Sequence, residues 1–342
     1  MTSSKLLDLK RLFRHHETYV ALAILILTVF ITALNRNFLT LENILDILKS
    51  SSFIGIMAVG VLLVLISGGI DISFTAVATV GEYVMAVVIT RYTGNIVLAF
   101  LISMAIGLVL GLVNAQLIYR FNIPTIIVTI GTLNIFYGLL IVFSGGKWIY
   151  TLPAWFSRIA EIRLFTFTNA GGIPFGLSIV TVIWIVVVAV TAFILNYTTL
   201  GRSLYAVGGC GVDKSPAYRA GINVYKVQMF VYSFMGVVAG IAGVVQALLV
   251  QTVAPNSIVG KELNVIAAVV IGGASIAGGR GTMTGTLLGV ILLAVLSNGL
   301  TLMRVPSYWY DVIIGLVILT SVSASALQQR KKNQRAIAVE DA

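Results

Sequence analysis

The stretch LLVLISGGIDISFTAV, residues 62–77, is apolar enough for hydrocarbon or a deep core, yet Asp71 sits in it, just past the Gly68–Gly69 pair. Glu82 follows eleven residues later. Runs as apolar as this one recur along the whole chain. Of its 342 residues 58% are hydrophobic and 10% charged, against about 25% charged in soluble domains. The chain reads as an integral membrane protein. Runs of roughly 16 to 23 apolar residues, parted by short polar breaks, are helical spans; barrel strands alternate over about 10 residues.

Ten apolar segments stand out, at 19–34, 51–69, 73–90, 95–118, 125–144, 176–195, 228–250, 264–279, 283–303 and 309–327. The expected fold is all-α, a polytopic bundle of about ten transmembrane helices. Segment 19–34 follows a basic stretch like a signal peptide, but ALNRNF (33–38) offers no good small-residue cleavage site, so it reads as a retained helix. Segment 264–279 is near the lower length limit and reads as re-entrant or broken by its glycines. With ten spans and the N-terminus inside, fourteen of the 22 Lys and Arg fall on the inner side. Both termini are therefore expected in the cytoplasm. The same rule accounts for the net charge of +10 without nucleic acid. The expected organisation is a tail over 1–18, a permease domain over 19–327 and a tail over 328–342. An outer loop spans 145–175, and a long inner loop spans 196–228, a length that marks loops with work to do.

Signals for chemistry are few. No phosphate-binding loop is present, so the chain is not expected to hydrolyse ATP itself. No Cys/His set has metal spacing, Cys210 is the only cysteine, and His15 and His16 read as solvated. No catalytic residue and no metal ligand is assigned. The intramembrane acids remain, and such residues usually face a pathway or a partner. Asp71 reads either as a cap for the helix starting near Ser73 or as a group in the pathway. Glu82 has no basic residue within the spans to pair with. It reads as lining a polar cavity or as a neutral acid bonded to a neighbouring helix. Asn134 is a cheaper polar candidate for the same pathway; Asn114, Gln116 and Gln246 read as helix–helix glue. Gly236-x-x-x-Gly240 and Gly285-x-x-x-Gly289 have close-packing spacing, within one subunit or at a dimer seam. LLVLISGGIDIS (62–73) and AAVVIGGASIAGG (267–279) share a texture, an apolar run ending in paired small residues. Gly272 and Gly273 are therefore candidates for a helix break beside the pathway.

Three stretches carry a resemblance to a known family: LISGGIDIS (65–73); TLGRSLYAVGG (199–209) with AGINVYKVQMFVYSFMGVVAGIAGVV (220–245); and ELNVIAAVVIGGASIAGGRGTMTGTLLG (262–289) with SNGL (297–300). The chain resembles the membrane-spanning permease subunits of bacterial ABC importers for monosaccharides, the group that holds the ribose and autoinducer-2 permeases. The resemblance runs from NFLTLENILDILKSSS (37–52) to the last helix. It implies an inner-membrane permease that forms the pathway with a second permease subunit. A separate ATPase subunit would use ATP, and a periplasmic or lipid-anchored sugar-binding protein would deliver solute. No cofactor is implied in this chain. In the family the inner loop docks on the ATPase. By position this places Gly201, Arg202, Tyr205, Gly208, Gly209, Gly221 and Ile222 in the docking element, with Asp213 and Arg219 as its charged members. The chain departs from the pattern at Cys210, where the family has Asn, at Phe74–Ala76, at Asn264, where Asp is common, and at Glu82. A stand-alone channel or secondary carrier is the alternative; it would need no docking loop.

Overall fold

The computed structural model describes residues 16–320, apart from 93, 170, 173, 212, 213, 307 and 318. Among them, eight helices are long and apolar enough to cross a membrane: α1 (His16–Leu34), α2 (Leu41–Ile66), α3 (Phe74–Arg91), α4 (Ile96–Phe121), α5 (Thr125–Ser144), α7 (Ile179–Tyr197), α10 (Val224–Val250) and α12 (Met283–Leu302). Two shorter apolar helices, α11 (Glu262–Ile271) and α13 (Tyr308–Val317), occupy the remaining expected segments. Short helices α6 (Ala154–Ala160), α8 (Thr199–Gly209) and α9 (Ser215–Arg219) and the strands β1 (Arg163–Thr168) and β2 (Pro174–Ser178) lie between. The strands pair antiparallel as a small exposed hairpin in the expected outer loop.

Polar side chains punctuate the apolar runs. Thr40, Asn95, Thr198, Asn223 and Thr282 each accept a backbone N–H from the first turn of the helix they open, satisfying groups that have no partner inside the helix. Helix α2 starts ten residues before the expected 51–69 segment. Glu42, Asp46 and Lys49 lie in its first turns and hide them from a reading by apolarity.

Helices α2, α3 and α10 are buried along most of their length, while α1, α4, α5 and α7 form an outer layer. Helix α10 packs on α4 and also touches α2 and α3. Its spacing motif meets α4 inside the chain: a Cβ on Gly236 would lie 2.0 Å from the Gly107 carbonyl, and Ser103 donates to the Gly240 carbonyl at 2.8 Å. Gly285 and Gly289 likewise pack on Gly272 and Ala268 of α11. Both motifs serve packing within one chain.

After α10 the backbone takes a left-handed turn at Gln251 (φ 61°) and runs on without regular structure to Lys261, with Val253, Ala254 and Ile258 buried. Ser257 lies against Glu82, and Glu262 lies against Thr75, two turns nearer the start of α3. The segment therefore turns back into the bundle before α11 begins. At 1.5 Å per residue, the ten residues of α11 cover about 15 Å, half of a bilayer core. The eighth segment is short because the chain before it enters the bundle as turns and bends. The glycines expected to break it instead end α11 at the far end.

Candidate functional site: a helix stapled to two glycine turns

Helices α2 and α11 end in the same way. Gly68 N–H donates to the Leu65 carbonyl (2.9 Å) and Gly69 N–H to that of Val64 (3.1 Å); Gly273 donates to Val270 (2.9 Å) and Ala274 to Val269 (3.2 Å). Gly68 (φ 81°) and Gly273 (φ 97°) hold the left-handed position that this cap requires. The shared texture of the two stretches is thus a shared helix stop. The turn that follows α11 meets the end of α2: the Gly279 N–H donates to the Ile66 carbonyl at 2.9 Å.

Helix α8 is seated in that junction. Tyr205 donates its hydroxyl to the Gly281 carbonyl at 2.7 Å. The Lys214 ammonium donates to the carbonyls of Val207 (3.0 Å) and Ser67 (3.5 Å). Partial burial pulls Lys214 below the usual lysine range, and the neighbouring Cys210 opposes that. A Cβ on Gly208 would lie 1.7 Å from the Ile66 carbonyl, whereas one on Gly209 would meet nothing within 4 Å. Gly201 is buried against the end of α7, at the Leu195 carbonyl. Arg202, Arg219 and Gly221 are exposed and Ile222 is half-buried. The expected docking residues therefore divide into a buried edge and an exposed edge. Asp213 lies outside the described residues. Lys214 was not singled out in the sequence, where it is one basic residue among several in a polar loop.

Beyond the first turn, the Asp71 carboxylate accepts both the Ser73 N–H and the Ser73 hydroxyl at 2.7 Å, and Asn114 of α4 donates to that hydroxyl at 2.7 Å. Asp71 is 4% exposed. Ser73 is the N-cap of α3 and its side chain makes no cap bond, so Asp71 holds the turn just ahead of the helix, and Asn114 links that turn to α4. Thr125 and Thr129 of α5 bind the Ile70 N–H and carbonyl. The turn is thus tied to α3, α4 and α5 together.

The other candidate residues lie elsewhere in the bundle. Glu82 is fully buried; its Oε2 accepts from Ser257 at 2.6 Å, while its Oε1 has no hydrogen-bond partner among the described residues. Lys261, whose ammonium lies over the Phe53 ring 5.2 Å from the centroid, is near enough to act on it electrostatically. Sequence distance hid this, since Lys261 reads as a loop residue until the loop folds back. Asn134 is exposed on the outer face of α5 and donates to its own helix, at the Ile130 carbonyl; it faces away from the bundle interior. Gly272 packs against α12, and Gly273 lies against the His16 ring. His16 is tied down through Nε2 to the Ile271 carbonyl at 2.9 Å; His15 lies outside the described residues.

These features define a polytopic membrane protein in which one short polar helix grips two interhelical turns at the same end of the bundle. The family described as the permease component of branched-chain amino acid transport systems matches residues 43–322, and the chain belongs to that family. The ribose import permease protein of Escherichia coli strain K12 is 33% identical over 88% of this chain and 91% of its own length. The autoinducer 2 import system permease protein of Yersinia pseudotuberculosis serotype O:3 is 31% identical over 91% of this chain and 85% of its own. No solved structure matches the chain. The family description and the relatives' names point to different solutes, so membership fixes the class of protein and leaves the solute to the site.

Proposed function

We propose that this chain is the permease subunit of a bacterial ABC importer for a monosaccharide or similar polyhydroxylated solute. The two named relatives support the solute class and the importer. The observation that carries the mechanism is the double attachment of α8, to Ser67 through Lys214 and to Gly281 through Tyr205. An ATPase subunit pressing on the exposed edge of α8 and α9 would move both glycine turns as one body, and with them the helices they begin and end. In this reading the α8 end of the bundle faces the cytoplasm of a bacterial inner membrane, as the Lys and Arg distribution favours. A second permease subunit completes the pathway, and an extracytoplasmic sugar-binding protein delivers solute at the hairpin end.

The test is a gentle detergent pull-down of the full chain from its native membranes, with mass spectrometry of what is retained. Recovery of an ABC ATPase is expected, and a second permease sequence would mark a heterodimer. A chain that comes down alone, yet moves solute in vesicles without ATP, would instead make it a stand-alone carrier, with Glu82 and Lys261 as its coupling groups.

A further inference from the structure

A cleft of about 410 Å³ opens between α2, α11, α12 and α13. Asp46, Ser50 and Ser51 of α2, Asn264 of α11 and Ser297 and Asn298 of α12 line it, with apolar surface from Ile54 and Leu293. Some of these polar groups are already used. Ser51 donates back to the Ile47 carbonyl at 2.5 Å, and Asn298 exchanges amide bonds with Asn43 at 2.9 and 3.0 Å. The side chains of Asp46, Asn264 and Ser297 make no hydrogen bond among the described residues.

The position of these groups gives them meaning. Asp46 and Ser50 lie five and nine residues past the start of α2, about 7 and 13 Å along its axis. Ser297 lies five residues before the end of α12. Asn264 is on the first turn of α11, whose start is already inside the bundle. The cleft therefore runs from the hairpin end towards mid-depth. A carboxylate and an amide without partners are costly against hydrocarbon, so this face meets water or solute rather than lipid.

We propose that this cleft is the hairpin-side wall of the solute pathway, and that Asp46, Asn264 and Ser297 hydrogen-bond a polyhydroxylated solute passing along it. The donor set fits. A carboxylate accepts from two neighbouring hydroxyls, and an amide and a hydroxyl each both donate and accept. Ile54 and Leu293 suit the C–H faces between hydroxyls. Among the described residues no cationic side chain lines the cleft, so a solute carrying a carboxylate, such as an amino acid, would find no counter-charge from them. The inference rests on the permease reading above and gives that reading a site in this chain.

The test uses the full chain in its assembled complex, with Cys210→Ser as background and single cysteines at Ser50, Asn264 and Ser297. Leu25→Cys on the outer face of α1, where Leu25 is 60% exposed, is the lipid-facing control. The probe is a membrane-impermeant methanethiosulfonate. Cleft cysteines are expected to react about tenfold or more faster than the control, because a thiol reacts as the thiolate and needs water. Equal rates overturn the assignment of the cleft. Separately, Asn264→Leu with Ser297→Val should raise the KM for a radiolabelled pentose or hexose about tenfold, the effect of roughly one lost hydrogen bond, while co-purification of the ATPase is unchanged. Fast labelling with an unchanged KM overturns the contact role. A wild-type complex that takes up none of the sugars counts against the proposed solute class, and the cysteine rates still decide whether the cleft is solvent-lined.

Discussion

The Tyr205 hydroxyl donates to the Gly281 carbonyl at 2.7 Å, across 76 residues of sequence. This bond joins a short polar helix to the turn between α11 and α12, and it is a contact that one atom can remove. Tyr205→Phe keeps the ring and deletes the donor. Stability should fall by about 1 kcal/mol, seen as a small drop in melting temperature in detergent. ATP-driven uptake should fall much further, with the ATPase still bound. Uptake at the wild-type level would mean that the staple transmits nothing.

Two adjacent glycines give a sharper contrast. Gly208→Ala places a methyl 1.7 Å from the Ile66 carbonyl and 2.7 Å from the Gly279 nitrogen, both backbone atoms of neighbouring segments, whereas Gly209→Ala meets nothing within 4 Å. Overpacking of this kind costs about 1–3 kcal/mol or more, so Gly208→Ala should lose most of its folded yield in size-exclusion chromatography. Gly209→Ala should express normally, with a change near the 0.5–1 kcal/mol helix preference of Ala over Gly. Equal behaviour of the pair would refute the seating of α8.

Asp71 accepts the N–H and the hydroxyl of Ser73, the residue that opens α3. Asp71→Ala removes the acceptor and should cost about 0.5–2 kcal/mol together with reduced uptake. Asp71→Asn keeps an acceptor oxygen and should be milder in both measurements. Normal transport by both variants would leave Asp71 without a role.

The Glu82–Ser257 bond, 2.6 Å long, pins the irregular stretch before α11 to α3. A double-mutant cycle of Glu82→Ala and Ser257→Ala, read by thermal melting, should show a coupling of about 0.5–1.5 kcal/mol, as for an ordinary buried hydrogen bond. Strict additivity of the two single variants would mean that the bond holds nothing.

How much of this was legible in the sequence follows from the range of the interactions. Apolar runs, polar caps and glycine stops act within a few residues, so the chain alone determined an all-α membrane bundle and the positions of most spans. The resemblance of three stretches led to the family. Early polar turns of α2 escaped the reading because Asp46 and Lys49 break the apolar run there while the helix continues. What only the tertiary structure decided lies between segments far apart in the chain. Examples are the partner of Glu82, the outward facing of Asn134, the seating of α8 on two matching turns, and the cleft that gathers Asp46, Asn264 and Ser297. Each of these depends on where a loop folds back or which face of a helix finds a neighbour. Those choices are made by packing summed over the whole bundle, and no local pattern records them.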